Sequence, residues 1–563
     1  MGVIFLDTET TGLDYKTCKL VTVQMMTESG KSKIIKDPET LNKLKSKLEN
    51  NLIIGHNLKF DSKFLKYHYG ITLYNVYDTF IAEIVLSGGL IGIRKTSQPY
   101  QSATLKDVIH RYCGVDISKE EQCGFKRGLN LTQEQEDYAI SDLKYLPDIV
   151  AQQKAKAKQL GLENIINIEM KALPAMVWLE LSGMYIDIEK LNSIKVSLES
   201  KRSEAQLKLY QAFSSSKIKL NSSSQLVKAL NNLGIPVRKA DEEELSKFND
   251  PVIEVLKEYK ETEKLLNTFV NKMPNYIDKS TGRVHSNFKQ IGAKTGRLSS
   301  SKPNLQQQPS KYGEWRSIYK AAPGNKIITA DYSQIELRII GQVSQEPEYI
   351  NAYCSGMDLH SLTASKVFKV PIEKFKKPMP EEQKKQRSIA KTVNFGIAYG
   401  MWSQGLQRKL QTAGIETTVE EAEQIIRNYY KSYPKVSTYL QNVSESGLRE
   451  LKVINKAGRL MLFEPPLDER EKGSIKRESK NLPIQSLCAD MVKTAIAEIF
   501  LKLEHLGVLF INTVHDEIVL ECKEEQVEYV IKVVKEEMEI AGKKYLTDMP
   551  CISEVSYGDM WEK

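Results

Sequence analysis

The sequence predicts a multidomain chain of α/β and α+β segments, and three observations predict it. At 563 residues the chain is too long for one hydrophobic core, so roughly three to five domains or subdomains are expected. Residues 1–155 mix short apolar strands with helices, whereas 156–290 read as long, lysine-rich amphipathic helices. Strand-and-turn segments then return near 327–331, 452–463 and 507–522, with a mostly helical block at about 345–445 between the first two.

Composition bounds the function classes. With 41% hydrophobic and 27% charged residues the chain reads as an ordinary globular protein. Lysine plus arginine exceeds aspartate plus glutamate by 80 − 72 = 8. That balance suits a polyanion and equally a lysine-rich surface. Seven cysteines, at 18, 113, 123, 354, 488, 522 and 551, form no CxxC pair. They are expected as reduced thiols in a cytosol-like compartment, which excludes a disulfide framework and a zinc site. No apolar run approaches a membrane span. Val3 to Leu6 is apolar and ends at Asp7, which reads as a buried strand and not as a signal peptide.

The first region carries DTETTG at 7–12. Side chains alternate along a strand, so Asp7 and Glu9 share a face. Asp61 closes GHNLKFD at 55–61. Asp142 follows Tyr138 by four residues in a helix-like stretch, which puts phenol and carboxylate on one helix face. Four acids converging alone would raise one another's pKa. Two divalent cations would relieve that repulsion and activate water for phosphodiester hydrolysis. Any one of these acids alone would be a surface residue or a cap; the ordered set is what carries the reading.

The last region carries ADYSQIELR at 330–338 and VHDE at 514–517, in which Asp331 and Asp516 each end a strand-like run. Ser333 and Glu336 fit a capping box ahead of a helix, and on local evidence the cap is the better reading of Glu336. The segment 507–522 reads as a hairpin with apolar arms and His515, Asp516 and Glu517 at its tip. A charged surface turn is the plainer account, weakened by the lack of Gly or Asn. Between them, Arg387, Lys391, Phe395 and Tyr399 recur every four residues and drift slowly along one helix face. Such a face can hold a triphosphate and stack a base or sugar. Taken alone, it would be a solvated Arg/Lys pair beside two core aromatics.

The N-terminal set resembles the proofreading 3′–5′ exonucleases of the DEDD group, in the subgroup with tyrosine in its last motif. The remainder closely resembles the family A DNA polymerases. DYSQIELR is similar to motif A of that family, 387–400 to motif B and VHDE to motif C. TGRLSS at 295–300, PNLQ at 303–306, DLHSLTASKVF at 358–368 and the Arg477, Asn481, Gln485 ladder add to the likeness. It covers nearly the whole chain. The resemblance implies a ribonuclease H-like exonuclease domain at 1–155, then a right-hand polymerase domain at 156–563. Its thumb would span about 186–285, its palm about 286–344 and 446–563, and its fingers about 345–445.

By motif position, the resemblance implies that Asp331, Asp516 and the Tyr332 backbone bind a Mg²⁺ pair, for which Mn²⁺ can substitute. A second pair falls to Asp7, Glu9, Asp61 and Asp142, with Tyr138 orienting water. Lys391, Arg387 and His360 would neutralise the incoming triphosphate, Lys391 also protonating the leaving group. Phe395 would pack on the deoxyribose and Tyr399 near the templating base, with Gln334 beside the nucleotide. Glu336 would exclude a ribonucleotide 2′-hydroxyl. Arg297, Arg477, Asn481 and Gln485 would read the minor groove, and Asn221 and Ser222 at the thumb tip would meet phosphates. His515 would lie near the primer end. The implied partners are primer-template DNA, dNTPs and a single-stranded DNA 3′ end, with no membrane and a monomeric enzyme. The implied location is the cytoplasm or nucleoid, or the host cytoplasm or organelle of a viral or organellar owner. The chain starts almost on the exonuclease strand, so a 5′-nuclease domain is expected to be absent. QQQ at 306–308 departs from the family pattern and puts template-side contacts there in doubt; SLC at 486–488 departs too, so backbone packing near Gln485 is expected to differ.

A single-subunit RNA polymerase and a non-catalytic DNA-binding protein are the competing readings. Glu336 and Phe395 argue against the first, and the complete acid sets against the second.

Overall fold

The computed structural model describes residues 2–91, 102–116, 133–309 and 312–561; the described side chains exclude 133–135, 137, 138, 313 and 398. Tyr138 therefore lies, as a side chain, outside the described residues.

The β-branched and aromatic run Val3–Thr10 forms a strand. It lies at the centre of a five-stranded sheet ordered Ser32–Ile35, Leu20–Thr27, Val3–Thr10, Leu52–Gly55, Asn75–Asp78. The central strand pairs antiparallel with Leu20–Thr27 and parallel with Leu52–Gly55. It is covered at Ile4, Phe5 and Leu6 and opens at Asp7 and Glu9. Gly55 is required by close approach: a Cβ there would lie 2.6 Å from the Leu6 carbonyl oxygen.

A second sheet is ordered Leu509–Val514, Glu517–Lys523, Asn325–Tyr332, Ser553–Gly558. The Leu509–Val514 and Glu517–Lys523 arms are buried almost throughout, as their apolar sequences predict. Behind this sheet runs the 35-residue helix Glu469–Leu503, started by Asp468, whose carboxylate accepts from Glu471 N. Its second half is buried, and it packs on the helix Glu163–Ser182, which is apolar nearly all round and correspondingly enclosed.

The chain divides into two compact units. One comprises 1–182, 287–300 and 328–556 and contains most of both sheets. The other comprises 183–286, 301–327 and 557–563. In the latter, the helix Ile188–Ala212 packs on Pro251–Leu265 around Leu209, Leu226, Leu230, Ile253 and Leu256. Asp250 caps the second of these through Val252 N, and Pro251 stands at its first turn, where its missing N–H costs nothing. Gln308, one of the departures noted above, is a core residue of this unit. Its side-chain oxygen accepts from Trp315 Nε1 at 2.8 Å and Tyr319 Oη at 2.7 Å.

One local expectation fails. The helix after Asp331 runs Ile335–Ser344, and Gln334 precedes it at φ 53° with no side-chain cap. Ser333 and Glu336 therefore form no capping box. The Ser333 carbonyl instead accepts from Arg338 Nε at 2.8 Å, and Glu336 is held by partners distant in sequence.

Candidate active sites

The first site stands where the N-terminal sheet opens. Asp7 and Glu9 share a face of the central strand, and the helix Gln133–Lys144, which carries Asp142, packs on that strand. Asp61 lies in the helix Leu58–Tyr69, is buried, and accepts from Thr8 Oγ1 at 2.6 Å. Thr8 thus ties the third acid to the strand that bears the first two.

The electrostatics report the convergence. Burial pushes the Asp7 carboxyl well up, and Asp61, Glu9 and Asp142 push it further. Burial, then Asp142 and Asp61, raise Glu9 to about 8. Burial raises Asp61 to about 7 against the Thr8 hydrogen bond. Four acids share a region where their charges oppose one another, a deficit that divalent cations fit. Among the described residues no three His, Cys, Asp or Glu side chains form a ready metal cage.

A pH test follows from the signs. An acid whose folded pKa is raised contributes stability below its unfolded pKa, and that contribution is lost as pH rises through the folded value. In EDTA the melting temperature should fall as pH rises from about 4.5, the ordinary carboxylate range, to about 8, where Asp61 near 7 and Glu9 near 8 have both titrated. Saturating Mg²⁺ should cancel the fall and Glu9→Gln should shrink it. A profile in EDTA that is flat or rising across that window contradicts the cluster.

Sequence reasoning missed two supports of this site. Asp78, buried at the end of its strand, accepts from Asn57 N at 2.8 Å and Leu58 N at 2.9 Å, and so pins the start of the Asp61 helix. A helix-capping Asp after VY was the available signal. Glu180 accepts from Lys59 Nζ at 2.5 Å and Lys63 Nζ at 2.7 Å, on either side of Asp61, and from Phe288 N at 2.8 Å. No local pattern announces that grip.

The second site lies on the two inner strands of the second sheet. Asp331 stands near the end of Asn325–Tyr332, and Asp516 at the hairpin tip that opens the neighbouring strand Glu517–Lys523. His515 takes φ 58° to make that turn, a conformation that costs a non-glycine residue and collects at functional sites. Beneath them lies Cys488, 1% exposed. Burial pushes its thiol well up; Asp516, Glu336 and Asp331 push the same way, and Arg297 opposes them. One buried thiol thus feels both candidate metal-binding carboxylates, which lie on adjacent elements and supply the oxygen donors Mg²⁺ prefers. The Tyr332 ring points into the core, its hydroxyl donating to Met538 O at 2.7 Å, which leaves only its backbone for a cation.

Glu336 accepts from Arg297 Nη2 at 2.8 Å and from Tyr399 Oη at 2.5 Å. Burial and Glu336 raise the Tyr399 phenol far above its usual range, and a hydrogen bond with Gln485 works against them. Arg297, Glu336, Tyr399 and Gln485 therefore form one group. Arg477, exposed, and Asn481, half-buried, extend it along the helix Glu469–Leu503. Gln334 accepts from Tyr353 Oη at 3.2 Å.

The helix Glu381–Ala398 presents Arg387, Lys391 and Phe395, and Tyr399 caps its end. Arg387 binds Asp358 through Nε at 2.7 Å and Nη2 at 3.1 Å. His360 lies near Phe395, ring centres 5.6 Å apart and tilted by 48°, and its Nδ1 accepts from Asn394 Nδ2 at 2.9 Å. Burial lowers the imidazole to about 4, and Arg387 and Lys391 add to the depression. His360 is thus neutral near pH 7 and offers an N–H, not the charge expected of it. Buried Asn394, which fixes this tautomer, was not singled out from sequence. Ser222 precedes the helix Ser223–Asn232, and Asn221 Nδ2 donates to Glu263 at 3.1 Å.

Residues 188–563 match the family model described as DNA polymerase family A, and residues 1–154 match that of a 3′–5′ exonuclease. DNA polymerase I of Aquifex aeolicus is 29% identical over 100% of this chain and 96% of its own length. DNA polymerase I of Pseudomonas aeruginosa is 30% identical over 100% of this chain and 63% of its own. The thermostable DNA polymerase I of Thermus aquaticus is 32% identical over 70% of this chain and 48% of its own. The chain thus spans nearly the whole of one relative and about half to two thirds of the others. The solved POL domain of Pol1 from M. smegmatis, in complex with DNA primer-template and dNTP, shares the fold. Its TM-score is 0.82 at 24% identity, covering 100% of this chain and 95% of that one.

Proposed function

The chain belongs to DNA polymerase family A and carries a 3′–5′ exonuclease domain, and from that premise we propose that it copies a DNA template and edits its own product at two separate sites. The carrying observation is that Asp331 and Asp516 stand on neighbouring strands and that one buried thiol, Cys488, feels both, together with Glu336 and Arg297 of the Arg297–Glu336–Tyr399 group.

In extension, a primer 3′-hydroxyl attacks the α-phosphate of a dNTP and pyrophosphate leaves. Asp331, Asp516 and the Tyr332 carbonyl would hold two Mg²⁺, which supply Lewis-acid stabilisation of the attacking and leaving oxygens. Lys391 and Arg387 neutralise the triphosphate, and Lys391 donates a proton to the leaving group. Arg387 exchanges Asp358 for phosphate as it does so. His360 donates its N–H to a phosphate oxygen. Phe395 packs on the deoxyribose, and Tyr399 meets the templating base with Gln334 nearby. Arg297, Arg477, Asn481 and Gln485 read the minor-groove acceptors, which are nearly alike for every correct pair. His515 lies by the primer end, and Asn221 and Ser222 touch backbone phosphate. In editing, Asp7, Glu9, Asp61 and Asp142 would hold a second metal pair, which would activate water, and Tyr138 would orient that water on a frayed single-stranded 3′ end. The thumb, palm, fingers and exonuclease boundaries given above are the division we propose. Monomeric action on DNA in the cytoplasm or nucleoid goes with this reading. Among the described residues no helix is long and apolar enough to cross a membrane.

Glu336 serves as the gate against a 2′-hydroxyl because Arg297 and Tyr399 both bind it and hold it still. Removing it should raise rNTP incorporation relative to dNTP by roughly 10- to 200-fold, the range one steric contact supplies. The assay is extension of a primed template in Mg²⁺ with dNTPs or rNTPs, for wild type and Glu336→Ala. Failure of the wild type to extend with dNTPs refutes the polymerase reading. Unchanged sugar discrimination in the variant refutes the gate.

A further inference from the structure

Four tryptophans occur in the chain. Trp178, Trp315 and Trp561 are 7%, 1% and 1% exposed, whereas Trp402 is 69% exposed. An indole left in water so close to Tyr399 has no packing role that explains it.

The chain holds Trp402 in place. Gly400, at φ 67°, makes the turn out of the helix Glu381–Ala398, and a Cβ there would lie 3.2 Å from Arg477 Cγ. Met401 folds back over Gly396, where a Cβ would strike its ε-methyl. Trp402 then precedes the helix Ser403–Thr412 in extended backbone, and its side chain makes no cap. A Cβ at Gly405 would lie 3.2 Å from Trp402 Cδ1 and 3.6 Å from Nε1. The pyrrole edge therefore leans on Gly405 while most of the ring stays open. One cation packs against the turn. Arg477 packs its stem on Gly400, and burial with repulsion from Lys476 lowers the Lys480 pKa on the same helix. An exposed flat ring braced on glycine, two residues from the Gly400 turn on which Arg477 packs, has the makings of a stacking platform for a single nucleic-acid strand.

We propose that Trp402 stacks on the first unpaired template base, one step beyond the base that Tyr399 meets. This rests on the polymerase reading above. The occupant is single-stranded DNA because the platform adjoins Tyr399 and Arg477, residues that reading places on the template and duplex. Any base presents a π-face, so the contact would be tolerant of sequence.

The test uses the full chain in EDTA, which stops both activities, with one duplex bearing template 5′ overhangs of 0, 1, 2 or 4 nucleotides. Tryptophan fluorescence should be quenched when an overhang is present and stay near the free level with the blunt duplex. Trp402→Ala should abolish that quench and weaken overhang-bearing DNA by roughly 5- to 100-fold, one stacked base's share, with blunt-duplex affinity unchanged. Trp402→Phe should retain most of the preference. Equal overhang-to-blunt affinity ratios in Trp402→Ala and wild type overturn the proposal, as does an equal loss on both DNAs. Primer extension by the wild type, run alongside in Mg²⁺, separates that failure from failure of the polymerase reading.

Discussion

Asp331→Ala should abolish primer extension while digestion of a mispaired 3′ end persists, and Asp7→Ala should do the reverse. Each expected loss is on the order of 10³-fold or more, beyond that of a single oxyanion-hole donor, because a metal ligand supports charge on both reacting oxygens. The separation follows from placement. Asp331 ends a strand beside the Asp516 hairpin, whereas Asp7 lies in the N-terminal sheet against Asp61 and Asp142. Neither substitution removes a core side chain, and Asp7→Ala takes away a carboxyl that Asp61, Glu9 and Asp142 oppose. The measurements are single-turnover extension and excision on the same labelled primer-template, with circular dichroism to establish folding. Loss of both activities in either folded variant would refute two independent sites.

Periodic and local features were readable in the sequence; features made by partners far along the chain were not. Alternation put Asp7 and Glu9 on one strand face, and the apolar arms of 507–522 announced a hairpin. The four-residue spacing of Arg387, Lys391 and Phe395 gave a helix running to Ala398. The capping box failed because its pattern is local while the forces on Glu336 come from Arg297 and Tyr399, 39 and 63 residues away. The lack of Gly or Asn at 515–517 counted against a plain surface turn; the tip is instead made with His515 at φ 58° between two buried arms. The missing charge on His360 was hidden for the same reason, since burial and Asn394 fix its tautomer. Glu180 and Glu169, on one helix, look in sequence like ordinary helical acids.

Glu169 leads to the second large effect: Arg459→Ala should cost about 3–5 kcal/mol of stability, the usual penalty for breaking a buried ion pair from one side. Glu169, Asp490 and Lys493 are fully buried and Arg459 nearly so. Glu169 accepts from Arg459 Nη2 and Lys493 Nζ, each at 2.6 Å, and from Gln290 Nε2 at 2.7 Å. Asp490 accepts from Arg459 Nε at 2.9 Å and Nη2 at 2.6 Å, and from Asn455 at 2.7 Å. Two carboxylates balance two cations, which is what makes burial of all four tolerable. Burial alone would raise Glu169; Lys493 and Arg459 hold it below its usual range. Its stabilisation is therefore present above the unfolded pKa and lost as pH falls through the folded one. Without Arg459, two buried carboxylates would share Lys493 alone, and the variant should be most impaired near neutral pH and recover relative to wild type in acid. The guanidinium also lies under Gly296, where a Cβ would be 2.8 Å from its Cζ, one residue before Arg297. Losing it should loosen the grip on Glu336 and lower extension on folded protein, with Arg459→Lys restoring part of both effects. Denaturant unfolding at pH 5 and 7.5 reads the stability, and extension by the folded fraction reads the geometry. A midpoint within error of wild type at pH 7.5 would mean that the quartet contributes nothing net. A midpoint shift that grows in acid would mean that Arg459 does not hold Glu169 ionised.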